Sequence, residues 1–173
     1  ESIPSYEYAA WARPQLEKWL TAAPGDIDLH RRYIELFTQD VRLYREFPAL
    51  RERYRQRAET RKDAASVYLY GFLLQRFNTA ESVRQLERAK ELDPKLYYPY
   101  VSLSSILSRS AKFKDEAKAA ENMAKYFELC PTGFEVNPLY ILLRAGTPEL
   151  QARVAHNLRQ ALEAETVPRK LLF

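Results

Sequence analysis

Cysteine is nearly missing from this sequence: Cys130 is the one thiol in 173 residues, which excludes an internal disulfide framework. Four scattered glycines are too few to build a phosphate-cradling loop. No run of 18 apolar residues occurs, so no membrane span is expected, and the start ESIPSYEY has neither a basic leader nor an apolar signal core. The chain begins without methionine, as a processed or excised segment would, and ends on Leu171, Leu172 and Phe173, a tail expected either to pack back or to continue into further chain. His30 and His156 have no Cys, His or carboxylate at metal-ligand spacing. A Cys130–His156 pair would need an orienting third group and an activated thiolate, and Cys130 reads instead as a small buried apolar residue at a helix end. Glu116 with Glu121, and Glu163 with Glu165, read as solvated helical charges rather than acid/base pairs. No catalytic residue, metal or cofactor is therefore expected.

What the chain does have is bulk. Apolar residues make up 46% of it, with twelve Tyr and eight Phe, enough for a continuous core of large packing units. The formal charge of +4 has a local origin. Between Val41 and Lys62, eight basic residues face only Glu46, Glu52 and Glu59. The basic patch Arg51, Arg53, Arg55, Arg57, Arg61 and Lys62 can be a phosphate or acidic-protein site, or the solvated side of an Arg-rich helix. The interleaved glutamates and the lack of alternating stacking aromatics favour the solvated side.

Helical periodicity runs along the whole chain, and no segment shows strand alternation. Tyr8, Trp11, Ala12, Leu16, Trp19 and Leu20 recur at three- and four-residue steps, predicting a helix over 8–23 with one buried face, kinked or restarted at Pro14. Pro24-Gly25-Asp26 ends it and offers Asp26 as the next cap. Tyr33, Ile34, Leu36, Phe37, Val41 and Tyr44 predict a second helix, and Pro48 starts a third that ends near Thr60. Asp63 caps a helix carrying Val67, Tyr70, Leu73 and Leu74; Asn78-Thr79 opens another carrying Val83, Leu86 and Ala89. Tyr100, Leu103, Ser104 and Leu107 form one face, a break falls at Ser108–Lys112, and Ala117, Ala120, Ala124 and Phe127 form its partner. Asn137-Pro138 and Thr147-Pro148 are two further starts, with Gly146 as a stop between them. The last helix shows a single stripe, Leu150, Val154, Leu158 and Leu162, as a covering helix does.

Leu86–Pro94 and Met123–Pro131 close helical stretches 37 residues apart, and Pro24 lies 70 residues before Pro94. A period near 35 residues marks stacked helix pairs. With Gly71, Leu86, Ala89 and Pro94 in one unit, Tyr100, Leu103, Ser104, Leu107, the Phe113–Ala117 turn and Pro131 in the next, and His30, Tyr33, Ile34 and Phe37 in a more divergent first, the chain resembles the tetratricopeptide repeat family. The resemblance covers roughly 12–131. It implies an all-α, right-handed α-solenoid of antiparallel helix pairs, about nine helices in one domain: an N-terminal capping helix (1–23), repeats 24–62, 63–94 and 95–131, and C-terminal helices 132–173 with a terminal cap.

The resemblance also implies a groove lined by first helices. It would be formed by Arg31, Glu35 and Gln39, then Tyr68, Phe72, Gln75 and Arg76, then Tyr98, Val101, Ser105, Ser108 and Arg109. Arg76 and Arg109 would clamp a carboxylate by paired donors, while Tyr68, Phe72 and Tyr98 have the alternative of being core between units. Carboxylate-clamp members of the family carry Lys and Asn at several of these positions; this chain does not, so binding of chaperone tails is not expected. The leading expectation is a non-enzymatic scaffold for a protein or peptide segment, acidic where it meets the arginines. The second reading is polyanion or nucleic-acid binding through 51–62. The third is the helical accessory segment of a larger enzyme, for example a thioredoxin-like one.

Overall fold

A computed structural model describes residues 5–131 and 136–163. Among the described residues there are nine α-helices, one 3₁₀ segment and no strand. The helices are α1 (Ser5–Ala22), α2 (Ile27–Gln39), α3 (Phe47–Arg61), α4 (Ala64–Leu74) and α5 (Thr79–Leu92), then α6 (Tyr98–Arg109), α7 (Glu116–Leu129), α8 (Val136–Ala145) and α9 (Pro148–Glu163). The chain divides into two compact units, 1–85 and 86–173, with the division inside α5.

Short polar side chains begin the helices, at Asp26, Asp63, Asn78 and Thr147 where the sequence places them and at Asp115 as well. The carboxylates of Asp26, Asp63 and Asp115 accept from the amides of Leu29, Ser66 and Lys118 at 3.0, 2.7 and 3.0 Å. Asn78 Oδ1 accepts from Glu81 N at 3.1 Å, and Thr147 Oγ1 from Leu150 N at 3.3 Å. Each satisfies an amide that has no partner inside its own helix. Pro48 sits in the first turn of α3, where its missing donor costs nothing. Gly146 N donates to Leu142 O at 2.8 Å and closes α8. The start at Asn137-Pro138 falls on side chains outside the described residues, as do Tyr8 and Leu162.

In unit 1, α1 lies on α2, and both α2 and α3 lie on α4. In unit 2, α6 and α7 lie together, both lie on α8, and α9 lies on α7. In each unit, then, a later helix rests on two earlier ones: α4 on α2 and α3, and α8 on α6 and α7. The unit 2 core joins Tyr100 and Val101 of α6, Met123, Ala124, Tyr126 and Phe127 of α7, Leu142 of α8 and Val154 of α9, with Leu150 and Leu158 against it.

Three details differ from the sequence pattern. The first helix runs through Pro14 without the restart that is the alternative to a kink. Ala12, Leu16 and Leu20 are its buried line, whereas Trp11 and Trp19 are 64% and 48% exposed. A four-residue step keeps Ala12, Leu16 and Leu20 in one row facing α2, and the tryptophans stand one residue, about 100° of helix, to the side. The second helix stops at Gln39, and Val41–Glu46 tightens into 3₁₀ geometry that leaves Tyr44 exposed. Asp40 ends α2 in an extended conformation, and Pro48 requires a fresh start soon after. Arg13 reaches this segment from α1 and donates to both carboxylate oxygens of Glu46 at 2.9 and 2.8 Å. Finally, Ala117 is exposed and Ala119 takes the buried place on α7.

Small residues set the helix spacing within each unit. Ser82 Oγ of α5 donates to Gly71 O of α4 at 2.7 Å, and Ser104 Oγ of α6 donates to Ala119 O of α7 at 2.7 Å, both buried. Ser104→Ala is expected to cost about 1 kcal/mol, the net value of a buried hydrogen bond. A urea-unfolding midpoint unchanged from wild type would contradict this.

Candidate interaction surfaces

The side-by-side packing of α2 and α4 brings Arg31, Glu35, Phe72, Gln75 and Arg76 to one region of unit 1. Arg31 is mostly covered, pairs with Asp28 at 3.5 Å, and holds its guanidinium carbon 5.1 Å from the centre of the Phe72 ring. Glu35, Phe72 and Gln75 are half-buried. Arg76 is exposed, and its Nη1 donates to Thr38 O at 3.2 Å, tying the end of α4 to a carbonyl left open at the end of α2. Gln39 ends α2, its side chain lying outside the described residues. Tyr68, expected to face the groove, has no exposed surface, and its ring lies 5.8 Å from that of Phe72. It faces inward as core.

In unit 2 the first-helix residues divide in the same way. Tyr98 and Val101 are each 7% exposed and therefore belong to the packing, with Tyr98 stacked 4.1 Å from Tyr97. Ser105, Ser108 and Arg109 reach the surface. Ser108 Oγ donates to Ser105 O at 3.1 Å, and Arg109 folds back to donate to the hydroxyl and carbonyl of Ser105. Arg109 is thus held on its own helix and is not extended like a clamp.

The arginines of α3 are largely engaged. Arg55 is held bidentately by Glu52 at 2.8 and 2.6 Å and reaches Glu59 at 2.6 Å. This pairing holds the exposed Glu52 carboxyl down at about 2. Arg61 pairs with Asp63 at 3.4 Å, and the Arg53 guanidinium carbon lies 6.0 Å from the Tyr33 ring centre. Lys62 is the left-handed residue that ends α3, with φ 54°, so its place is partly conformational. Arg51 remains exposed on the α3 surface.

Arg57 turns inward, to a cluster that no spacing in the sequence signals. His30 is 2% exposed, with Nδ1 2.7 Å from Tyr54 Oη and Nε2 2.7 Å from Arg57 Nη1. Nε2 also lies 3.1 Å from Pro24 O, but a guanidinium only donates and Arg57 sits closer to both atoms, so Nε2 accepts from Arg57 and the neutral ring carries its proton on Nδ1, toward Tyr54. Arg57 Nη2 donates to Pro24 O at 2.8 Å, and Arg57 Nε to Ser66 Oγ at 3.3 Å. The cluster therefore ties the α1–α2 turn, α2, α3 and the start of α4 together. Burial is the largest effect on His30 and pushes its pKa below the ordinary 6.5; the Pro24 carbonyl opposes it, the charges of Arg57 and Arg53 add to it, and Asp26 opposes it more weakly. Desolvation likewise lowers Arg57 and raises Tyr54.

With this geometry in hand, comparison with known proteins bears on the fold. The chain has the helical-repeat fold of MamA. One crystal structure of MamA matches at a TM-score of 0.51 and 16% identity over 96% of each chain. A second, of MamA protein, matches at 0.52 and 17% identity over 97% of this chain and 88% of that one. No protein-family model and no curated protein matches the chain. Among the described residues, no helix is long and apolar enough to cross a membrane, and no group of three or more metal-ligating side chains comes together.

Proposed function

We propose that this protein is a non-enzymatic scaffold that holds an extended protein segment against the α2–α4 face of unit 1. The observation that carries the reading is the Arg31–Phe72 contact beside Arg76 on neighbouring helices. An aromatic with arginines at its edges combines apolar area with paired donors for carboxylates and backbone carbonyls, the composition favoured at interface anchors. The tetratricopeptide-like pairing of helices supports the same use, since helix-pair repeats offer surfaces built from successive first helices. The most developed polar cluster, His30–Tyr54–Arg57, is closed off by burial and reads as structural, which fits a binding role better than a reaction centre.

Capturing partners from an extract of the source cells with wild type and with the Arg31→Glu/Phe72→Ser double variant tests the reading. The variant is expected to retain its helical circular-dichroism spectrum and lose about tenfold of specifically captured protein, the effect of removing one or two anchor residues. Equal capture by a folded double variant would remove the α2–α4 face as the binding surface.

A further inference from the structure

We infer that an aromatic shelf in unit 1, formed by Tyr44, Phe47 and Phe77 and flanked by Arg45, Arg51 and Arg76, docks an acidic protein segment bearing an apolar side chain. The inference rests on the interaction reading above and adds to it a second surface, which shares only Arg76 with the α2–α4 face. The rings of Phe47 and Phe77 lie 3.9 Å apart, Tyr44 meets Phe77 edge-on at 5.7 Å, and Tyr44 stands 6.4 Å from Phe47. Exposure rises outward from Phe47 at 7% to Phe77 at 37% and Tyr44 at 47%. A single half-exposed aromatic is ordinary, but two in contact over a buried third make a continuous apolar step from core to solvent.

Charge around the shelf selects the partner. Glu46 is held by Arg13, Glu52 by Arg55, and Glu81 by Arg84 at 2.5 Å and by Gln85 at 2.7 Å. Arg45 adjoins Tyr44, Arg76 adjoins Phe77, and Arg51 lies one turn beyond Phe47. All three are exposed, and no carboxylate among the described residues pairs with them. These three carboxylates are therefore engaged while three guanidinium groups keep their charge, and a planar guanidinium takes a carboxylate through two parallel bonds. Glu46 and Glu52 remain half-exposed among these arginines. A continuous phosphate chain would have to run past them, whereas a peptide can place a few carboxylates on the unpaired arginines and an apolar side chain on the shelf.

The test uses the ¹⁵N-labelled protein and a blocked peptide, Glu-Glu-Phe-Leu-Glu-Glu. Comparison probes are the same peptide with Ser-Ser at its centre, its lysine counterpart Lys-Lys-Phe-Leu-Lys-Lys, and a thymidylate oligonucleotide. Saturable shifts of the Tyr44, Arg45 and Phe77 amides are expected with the first peptide only. Tyr44→Ser or Arg45→Glu should weaken its binding about fivefold or more, the loss of one anchor contact. Equal binding of the serine or lysine peptide, tighter binding of the oligonucleotide, or no binding overturns the inference. Shifts confined to Arg31 and Phe72 overturn it while leaving the scaffold reading intact.

Discussion

Phe127→Ala is expected to destabilise the protein by about 3–5 kcal/mol, the range for truncating a buried aromatic. Phe127 is 1% exposed in α7, and the cluster to which it belongs draws side chains from α6, α8 and α9 as well. Tyr126 meets its ring edge-on at 5.3 Å. The neighbours Met123, Leu142 and Val154 are themselves at 2% exposure or less, so the cavity left behind is lined by side chains already packed in place. Leu92→Ala makes the contrast: this side chain is 47% exposed, and its loss should stay within about 0.5 kcal/mol. A fall in the urea midpoint for Phe127→Ala no larger than for Leu92→Ala would show that the four helices do not share this core.

Acid should loosen unit 1 in a window set by one residue. His30 is neutral in the fold because burial and the Arg57 charge oppose its proton, and its pKa lies below the ordinary 6.5. At pH 7.5 the imidazole is neutral in both folded and unfolded chains. As pH falls through 6.5 the unfolded chain binds a proton that the fold refuses, so stability falls with pH until the folded pKa is passed. Each unit of depression is worth about 1.4 kcal/mol at that limit. His30→Gln should flatten the melting temperature between pH 7.5 and about 5, a range spanning the ordinary histidine pKa. The carboxyls of Glu17 and Glu46 cannot mimic this effect. Their arginine partner lowers them from 4.5, so their contribution is present above that value and is lost only as pH falls below it. Identical slopes for wild type and His30→Gln would exclude His30 as the source.

What the sequence revealed and what it hid have different physical origins. Caps and stops are local: Asp26, Asp63, Asn78, Asp115 and Thr147 act on amides three residues away, so the chain carries their meaning in short words. Burial is not local. Tyr68, Tyr98 and Phe72 share one helical pattern, yet only Phe72 retains appreciable surface, because exposure depends on what the neighbouring helix presents. Trp11 and Trp19 mislead in the opposite direction, since bulky apolar residues on a helix with a narrow covered row need not be inside. Arg57 is the most instructive case. It lies between Arg55 and Arg61, which pair with local acids, while its own most distant partners stand 27 and 33 residues away, at His30 and Pro24. No composition of the 51–62 segment distinguishes it from Arg55.

The two serine bonds run in opposite senses: at Gly71 the later helix donates to the earlier one, and at Ala119 the earlier donates to the later. A hydroxyl on either strut can fasten the same joint, provided that the facing position stays small. Donor and acceptor can therefore trade sides over time without either helix moving. Letter-by-letter matching then sees two unrelated positions where the molecule has one fastening used twice.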